Sequence, residues 1–144
     1  MQATHATSDK NMAEDRIGEV RIQGAYAWRK LIEAGALIAN GSDFPVESPN
    51  PFWGFHAAVS RQDHDSEPPG GWYPEERMTL IEAFASFTLD AAYAGHQEDI
   101  LGSLEAGKKA DFVFLDRDIF TIPKDELWRV QPIETWVNGV KITD

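Results

Sequence analysis

The chain has 144 residues, 42% hydrophobic and 11% aromatic, with a formal net charge of −11 and no cysteine. Such a composition suits one domain, or slightly more, with a real core, and it excludes a disordered chain. The acidity repels phosphates and anionic headgroups, so no nucleic acid and no membrane is expected as a partner, and the lack of cysteine excludes disulfides, thiolate metal sites and a cysteine nucleophile.

Residues 1–12 read as polar and irregular, without the basic and apolar regions of a signal peptide. The absence of cysteine suits a reducing compartment, and a cytoplasmic location is the expectation. From Ala13 to Ala34 the spacing predicts one helix, because Ile17, Val20, Gly24, Trp28 and Leu31 recur at three- and four-residue steps. Gly35 follows as a natural stop, and Ala36 to Ala39 reads as a short buried strand ended by Asn40-Gly41. Residues 44–76 are loop-rich, interrupted by a short helix from Pro51 to Ser60 that proline at its first turn would tolerate. Thr79-Leu80-Ile81-Glu82 forms a capping box, which opens a helix to Ala94 with Ala83, Phe84, Phe87, Ala91 and Ala94 on its apolar face. Gly95 can end that helix. Beyond Glu98 the texture turns to β: Phe112–Leu115 is a strand, and residues 134–142 form a hairpin around Asn138-Gly139. Two short strands and a hairpin make a poor sheet alone, so other strands are expected to complete it.

The carboxylate of Asp43 stands at the C-terminal end of its expected strand, where α/β folds place their sites. There it can bind a metal or act as a general base; a turn-capping aspartate is the structural alternative. His5 could lie on a neighbouring strand end and share a metal or substrate with Asp43, or be an ordinary loop histidine. His56, His64 and His96 read as structural. No HxH or HExxH pair occurs, Ser42 and Ser103 lack a nucleophile elbow, and GSLEAGKKA lacks phosphate-loop spacing. The aromatic stretches Pro51-Phe52-Trp53 and Trp72-Tyr73 suit core packing or one wall of an apolar pocket.

Together GSDFPVESPNP and ILGSLEAGKKADFVFLD resemble the C-terminal part of the amidohydrolase superfamily, in particular amidohydrolase family 3 with its N-substituted formamide deformylase-like enzymes. QATHATSD resembles the end of the seventh barrel strand, residues 24–51 resemble helix seven and strand eight, and GSLEAGKKADFVFLDRD with TWVNGVKI resembles returning strands of the small β-sandwich. The resemblance implies an α/β fold: residues 1–97 as the C-terminal segment of a TIM barrel, and residues 98–144 as part of a β-sandwich. It implies a metal-dependent hydrolase of carbon–nitrogen bonds in small amide-type substrates. Asp43 matches the metal ligand and proton shuttle after strand eight. His5 matches a position on the substrate side of the barrel mouth. Zinc is the expected metal for the complete enzyme.

The remaining barrel strands, with the family's HxH pair and further ligands, would all precede Met1. The expectation is therefore a fragment of a longer hydrolase, inactive alone and binding no metal alone. Its open strand edges predict a homo-oligomer or strand-swapped dimer. Two other readings remain: a small non-catalytic binding or regulatory module, and a split enzyme whose missing strands come from a second chain.

Overall fold

The computed structural model describes residues 1–142. Its N-terminal two thirds are helical. α1 is the single turn His5–Ser8, α2 spans Ala13–Arg21, α3 spans Trp28–Glu33, and α4 spans Pro51–Ser60. α5 spans Leu80–Phe87 and α6 spans Leu89–Ala94. The later part holds β1 (Phe112–Leu115), β2 (Pro132–Val137) and β3 (Val140–Ile142) in one antiparallel sheet of order β1-β2-β3. Short 3₁₀ turns occupy Ile22–Gly24, Pro74–Glu76 and Lys124–Arg129. None of the described helices is long and apolar enough to cross a membrane.

The single helix expected over Ala13–Ala34 is instead three pieces. Gly18 leaves helical geometry (φ 80°, ψ 160°), and Tyr26 takes a left-handed φ of 53°. Each break rotates the following residues, so the anticipated stripe never lines up. Val20 is 85% exposed and Leu31 half exposed, while Trp28 turns inward at 3%. Gly35 does end α3. Its N–H donates to Ile32 O at 2.9 Å and the Ala36 N–H to Leu31 O at 3.0 Å, which with φ +86° at Gly35 is a Schellman motif. The expected strand Ala36–Ala39 is extended chain outside the sheet, and only Ile38 of it is buried. A strand needs a ladder, and this stretch has a single rung. The Met1 amino group donates to Ala39 O, and the Gly41 N–H donates to Met1 O at 2.9 Å, the pattern of a parallel pair.

α4 falls where expected. Asn50 caps it by accepting the Phe52 N–H at 3.0 Å, and Pro51 follows at the first helical position. Phe52, Phe55, Ala57, Ala58 and Val59 are all buried, so the helix is enclosed on nearly every side. It packs on α5 and on the turn Lys124–Arg129, which puts Leu127 and Val130 in the same core. The chain between β1 and β2 thus leaves the sheet and returns to α4. At Gly54 a side chain would meet the Phe87 ring 2.4 Å away, so glycine lets α5 approach.

The capping box at Thr79 forms in full, with Thr79 Oγ1 accepting the Glu82 N–H at 3.2 Å and Glu82 Oε2 accepting the Thr79 N–H at 2.7 Å. The helix it opens is broken at Thr88 (φ −125°, ψ −88°), which separates α5 from α6. α6 ends at Ala94 as expected, but the left-handed residue of its C-terminus is not Gly95. Gly95 stays near helical, and His96 takes the left-handed position (φ 53°), its N–H donating to Tyr93 O at 3.0 Å and the Gln97 N–H to Ala92 O at 2.9 Å in a Schellman motif. β1 and the hairpin form as expected, with Asn138 (φ 52°) and Gly139 (φ 75°) both left-handed, as a two-residue type I′ turn requires. Val113, Ile133, Val137, Val140 and Ile142 share one face of this sheet by register, and each is about half exposed or more.

Candidate functional site

Two stretches that are far apart in sequence meet at Asp43. The first is residues 1–8, leading into α1; the second is residues 39–47. The Met1 rung described above joins them at one end. Asn40 adds a side-chain link, its Oδ1 accepting the Ala3 N–H at 3.0 Å. At the far end Ser8 Oγ donates to Glu47 Oε1 at 2.6 Å. Between these ties His5 Nε2 lies 3.5 Å from Asp43 Oδ2.

Asp43 is half exposed and takes a left-handed φ of 57°. Its backbone carbonyl accepts the Val46 N–H at 2.8 Å, so a tight turn through Phe44-Pro45 fixes the loop behind the carboxylate. Ser42 Oγ accepts the Phe44 N–H at 3.3 Å and serves that turn. The Asp43 carboxylate makes no hydrogen bond to the turn amides, so it is left to face His5. His5 opens α1 rather than following a strand. Its Nε2 is buried, has no hydrogen-bond partner, and points at the Asp43 carboxylate. A buried imidazole nitrogen without a partner is costly, and it suits a cation or a polar ligand atom placed there.

A groove of about 330 Å³ opens beside His5, walled by Met1, Tyr26, Trp28, Leu31 and Ile38. Tyr26 donates from its hydroxyl to Asp9 Oδ2 at 2.5 Å; burial, reinforced by Asp9, pushes the phenol up to about 12. The groove therefore has an apolar body with one polar edge.

The donor set at Asp43 is a carboxylate with a free imidazole nitrogen, chemistry that fits a zinc-type ion. Among the described residues no group of three or more histidine, cysteine, aspartate or glutamate side chains is placed to hold a metal. Two donors leave a catalytic ion short of ligands, so a complete centre needs side chains beyond these.

The other histidines lie elsewhere. His56 is buried on α4, its ring nitrogens facing Lys124 O at 3.1 Å and Asp63 O at 3.2 Å. His64 stacks on Trp128 with centroids 4.3 Å apart and meets Trp53 edge-on. Burial, then the neighbouring His56, pull its pKa down. His96 ends α6. Phe52 and Trp72 are in the core.

Sequence reasoning missed Asn40 and Arg61. In the sequence Asn40 reads only as the end of an apolar run, yet it ties both halves of the site together. Arg61 is fully buried at the left-handed end of α4. Its Nε donates to Trp72 O at 2.8 Å and its Nη1 to Tyr26 O at 2.9 Å, while Trp28 and Trp72 lie across its plane at 4.5 and 5.3 Å. Burial pulls the guanidinium down to about 10. It thereby fixes the backbone beneath the Tyr26 wall of the groove.

Known proteins share this arrangement of chain. The profile described as the Amidohydrolase family matches residues 1–142. The Bacillus subtilis protein named amidohydrolase YtcJ is 32% identical over 139 residues, covering 96% of this chain and 26% of that protein. N-substituted formamide deformylase from Arthrobacter pascens is 33% identical over 112 residues, covering 78% of this chain and 20% of that protein. Among solved structures, an uncharacterized metal-dependent hydrolase from Pyrococcus horikoshii superposes with a TM-score of 0.73 at 27% identity, over 86% of this chain and 25% of that one. The chain thus spans about a quarter or less of the length of these relatives.

Proposed function

The chain belongs to the amidohydrolase family, and from that premise we propose that it is the C-terminal part of a metal-dependent hydrolase acting on a carbon–nitrogen bond of a small amide-type substrate. Residues 1–97 belong to the closing segment of the (β/α)8 barrel and residues 98–144 to the β-sandwich. The single parallel rung between Met1 and residues 39–41 supports this, because neighbouring barrel strands run parallel.

The observation that carries the reading is the pairing of Asp43 with His5: a carboxylate held outward by its turn, faced by a buried imidazole nitrogen that has no other partner. Asp43 would hold the metal, with zinc the best match, and His5 would meet the substrate beside it. A divalent ion, when bound, supplies Lewis-acid polarisation of the scissile carbonyl and lowers the pKa of water. Asp43 Oδ2 accepts the proton from the attacking water and returns it to the leaving nitrogen, which general acid–base catalysis requires of a group within hydrogen-bond reach. His5 Nε2 orients the substrate at that position. The groove along Tyr26 and Trp28 lies next to it and offers apolar surface for a substrate substituent.

An antibody raised to this chain tests the reading in its source cells. A band several-fold above 16.1 kDa is expected; a band at 16.1 kDa would turn attention to a non-catalytic module. In the longer protein, Asp43→Asn should lose both metal and turnover with the fold intact. His5→Ala should keep the metal and raise KM. Full turnover in Asp43→Asn would sink the assignment.

A further inference from the structure

We infer that Asn40 is the positioning residue that sets His5 and Asp43 against each other. The inference rests on the roles given to those two side chains above and concerns what holds them in register. Asn40 makes three bonds to two other parts of the chain. Its Oδ1 accepts the Ala3 N–H at 3.0 Å, its Nδ2 donates to Ser86 Oγ at 3.2 Å, and its backbone N–H donates to Ser86 O at 2.8 Å. Ala3 and Ser86 are both fully buried.

The amide orientation is fixed by its partners. Ser86 Oγ donates its proton to Ala83 O at 2.7 Å, so towards Asn40 it can only accept. The Nδ2 must therefore face Ser86, and the carbonyl oxygen must face the Ala3 N–H. Ala3 lies two residues before His5, and Asn40 lies three before Asp43. The Asn40 side chain thus locks the backbone entering α1 to the backbone entering the Asp43 turn, and anchors both on α5. Among the described residues, the other bonds across this junction near the rung are the two made by Met1. A slip of one residue along an extended segment turns its side chains to the opposite face, so register here decides whether Asp43 meets His5 at all.

A chemical-shift cycle on the full chain reads this directly, at one fixed pH and without metal or substrate. Asp43→Asn should move the His5 ring Cε1–Hε1 resonance. In an Asn40→Ala background that movement should shrink at least about twofold, as coupling between two sites does when their link is cut. Asn40→Asp keeps an acceptor for Ala3, and the Ser86 hydroxyl can turn to meet its second oxygen, so the movement should be retained. The Trp136 indole signal, on the distant sheet, checks that each variant is folded. An unchanged movement in folded Asn40→Ala overturns the inference, as does an equal loss in Asn40→Asp. Should Asn40→Ala not fold, Asn40→Asp decides: retention supports the inference and loss overturns it. Metal content and turnover, measured separately, judge the roles of Asp43 and His5, so the two can fail independently.

Discussion

Around α4 the apolar side chains are inside and the buried polar ones are tied to backbone carbonyls. In the three-stranded sheet, five branched aliphatic residues stand half in water on one face. The two regions are similar in hydrophobic content, yet they are held by different means. The α4 region is fixed by enclosed side chains: Arg61 between two tryptophans, Phe55 stacked on Phe87 at 4.8 Å, and Leu127 closing the core from the β1–β2 connection. The sheet is fixed by its backbone ladder, its Asn-Gly turn and the Phe112–Trp136 stack at 5.6 Å. Side-chain truncation should therefore be felt strongly in the first region and weakly in the second.

The largest effect is expected at Arg61. Arg61→Met leaves the Trp72 carbonyl buried without a donor, leaves the Tyr26 carbonyl with the Trp28 N–H alone, and strips Trp28 and Trp72 of the guanidinium packed on them; together these cost about 3–5 kcal/mol. Urea unfolding followed by tryptophan fluorescence measures it; a loss below about 1 kcal/mol would show that water reaches those carbonyls. Leu127→Ala comes next, at about 2–5 kcal/mol for a fully buried leucine. Its counterpart in the sheet, Ile133→Ala, removes a side chain that is 65% exposed and should change stability by about 0.5 kcal/mol or less. Equal losses at Leu127 and Ile133 would erase the distinction between the regions.

Between these falls Glu82, at the edge of the helical part. Hydrogen bonds from Arg29, at 2.9 and 2.5 Å, are the main reason its carboxyl sits at about 2 instead of its ordinary 4.5. A carboxyl lowered on folding adds stability that is present above its unfolded value and lost as pH falls through the folded one. The stability gap between wild type and Glu82→Gln should thus be full above pH 4.5 and close as pH falls to about 2. A gap that does not change over that window would mean that the charge on Glu82 contributes nothing.

Much of the sheet was legible in sequence because its signals are local. Alternation and Asn138-Gly139 specify the hairpin, and Asn50-Pro51 specifies the start of α4. The breaks within residues 13–34 are not legible, because periodicity says nothing of a glycine that leaves helical geometry, or of a left-handed tyrosine whose carbonyl is bonded by a distant arginine. Asp43 stands out as a candidate from its place after an apolar run. Asn40 does not, since its two side-chain bonds reach 37 and 46 residues along the chain, and no local pattern carries such partners.

Those separations also set an order in time. Asn40 cannot be locked until Ser86 has been made and α5 has formed around it. At roughly 5–20 residues per second of synthesis, the 46-residue separation means that a nascent chain carries Asp43 for several seconds before its Ser86 anchor exists. During that interval the Asp43 turn has only its own bonds and its ties to residues 1–8. That support arrives when α5 leaves the ribosome and closes on the turn from behind.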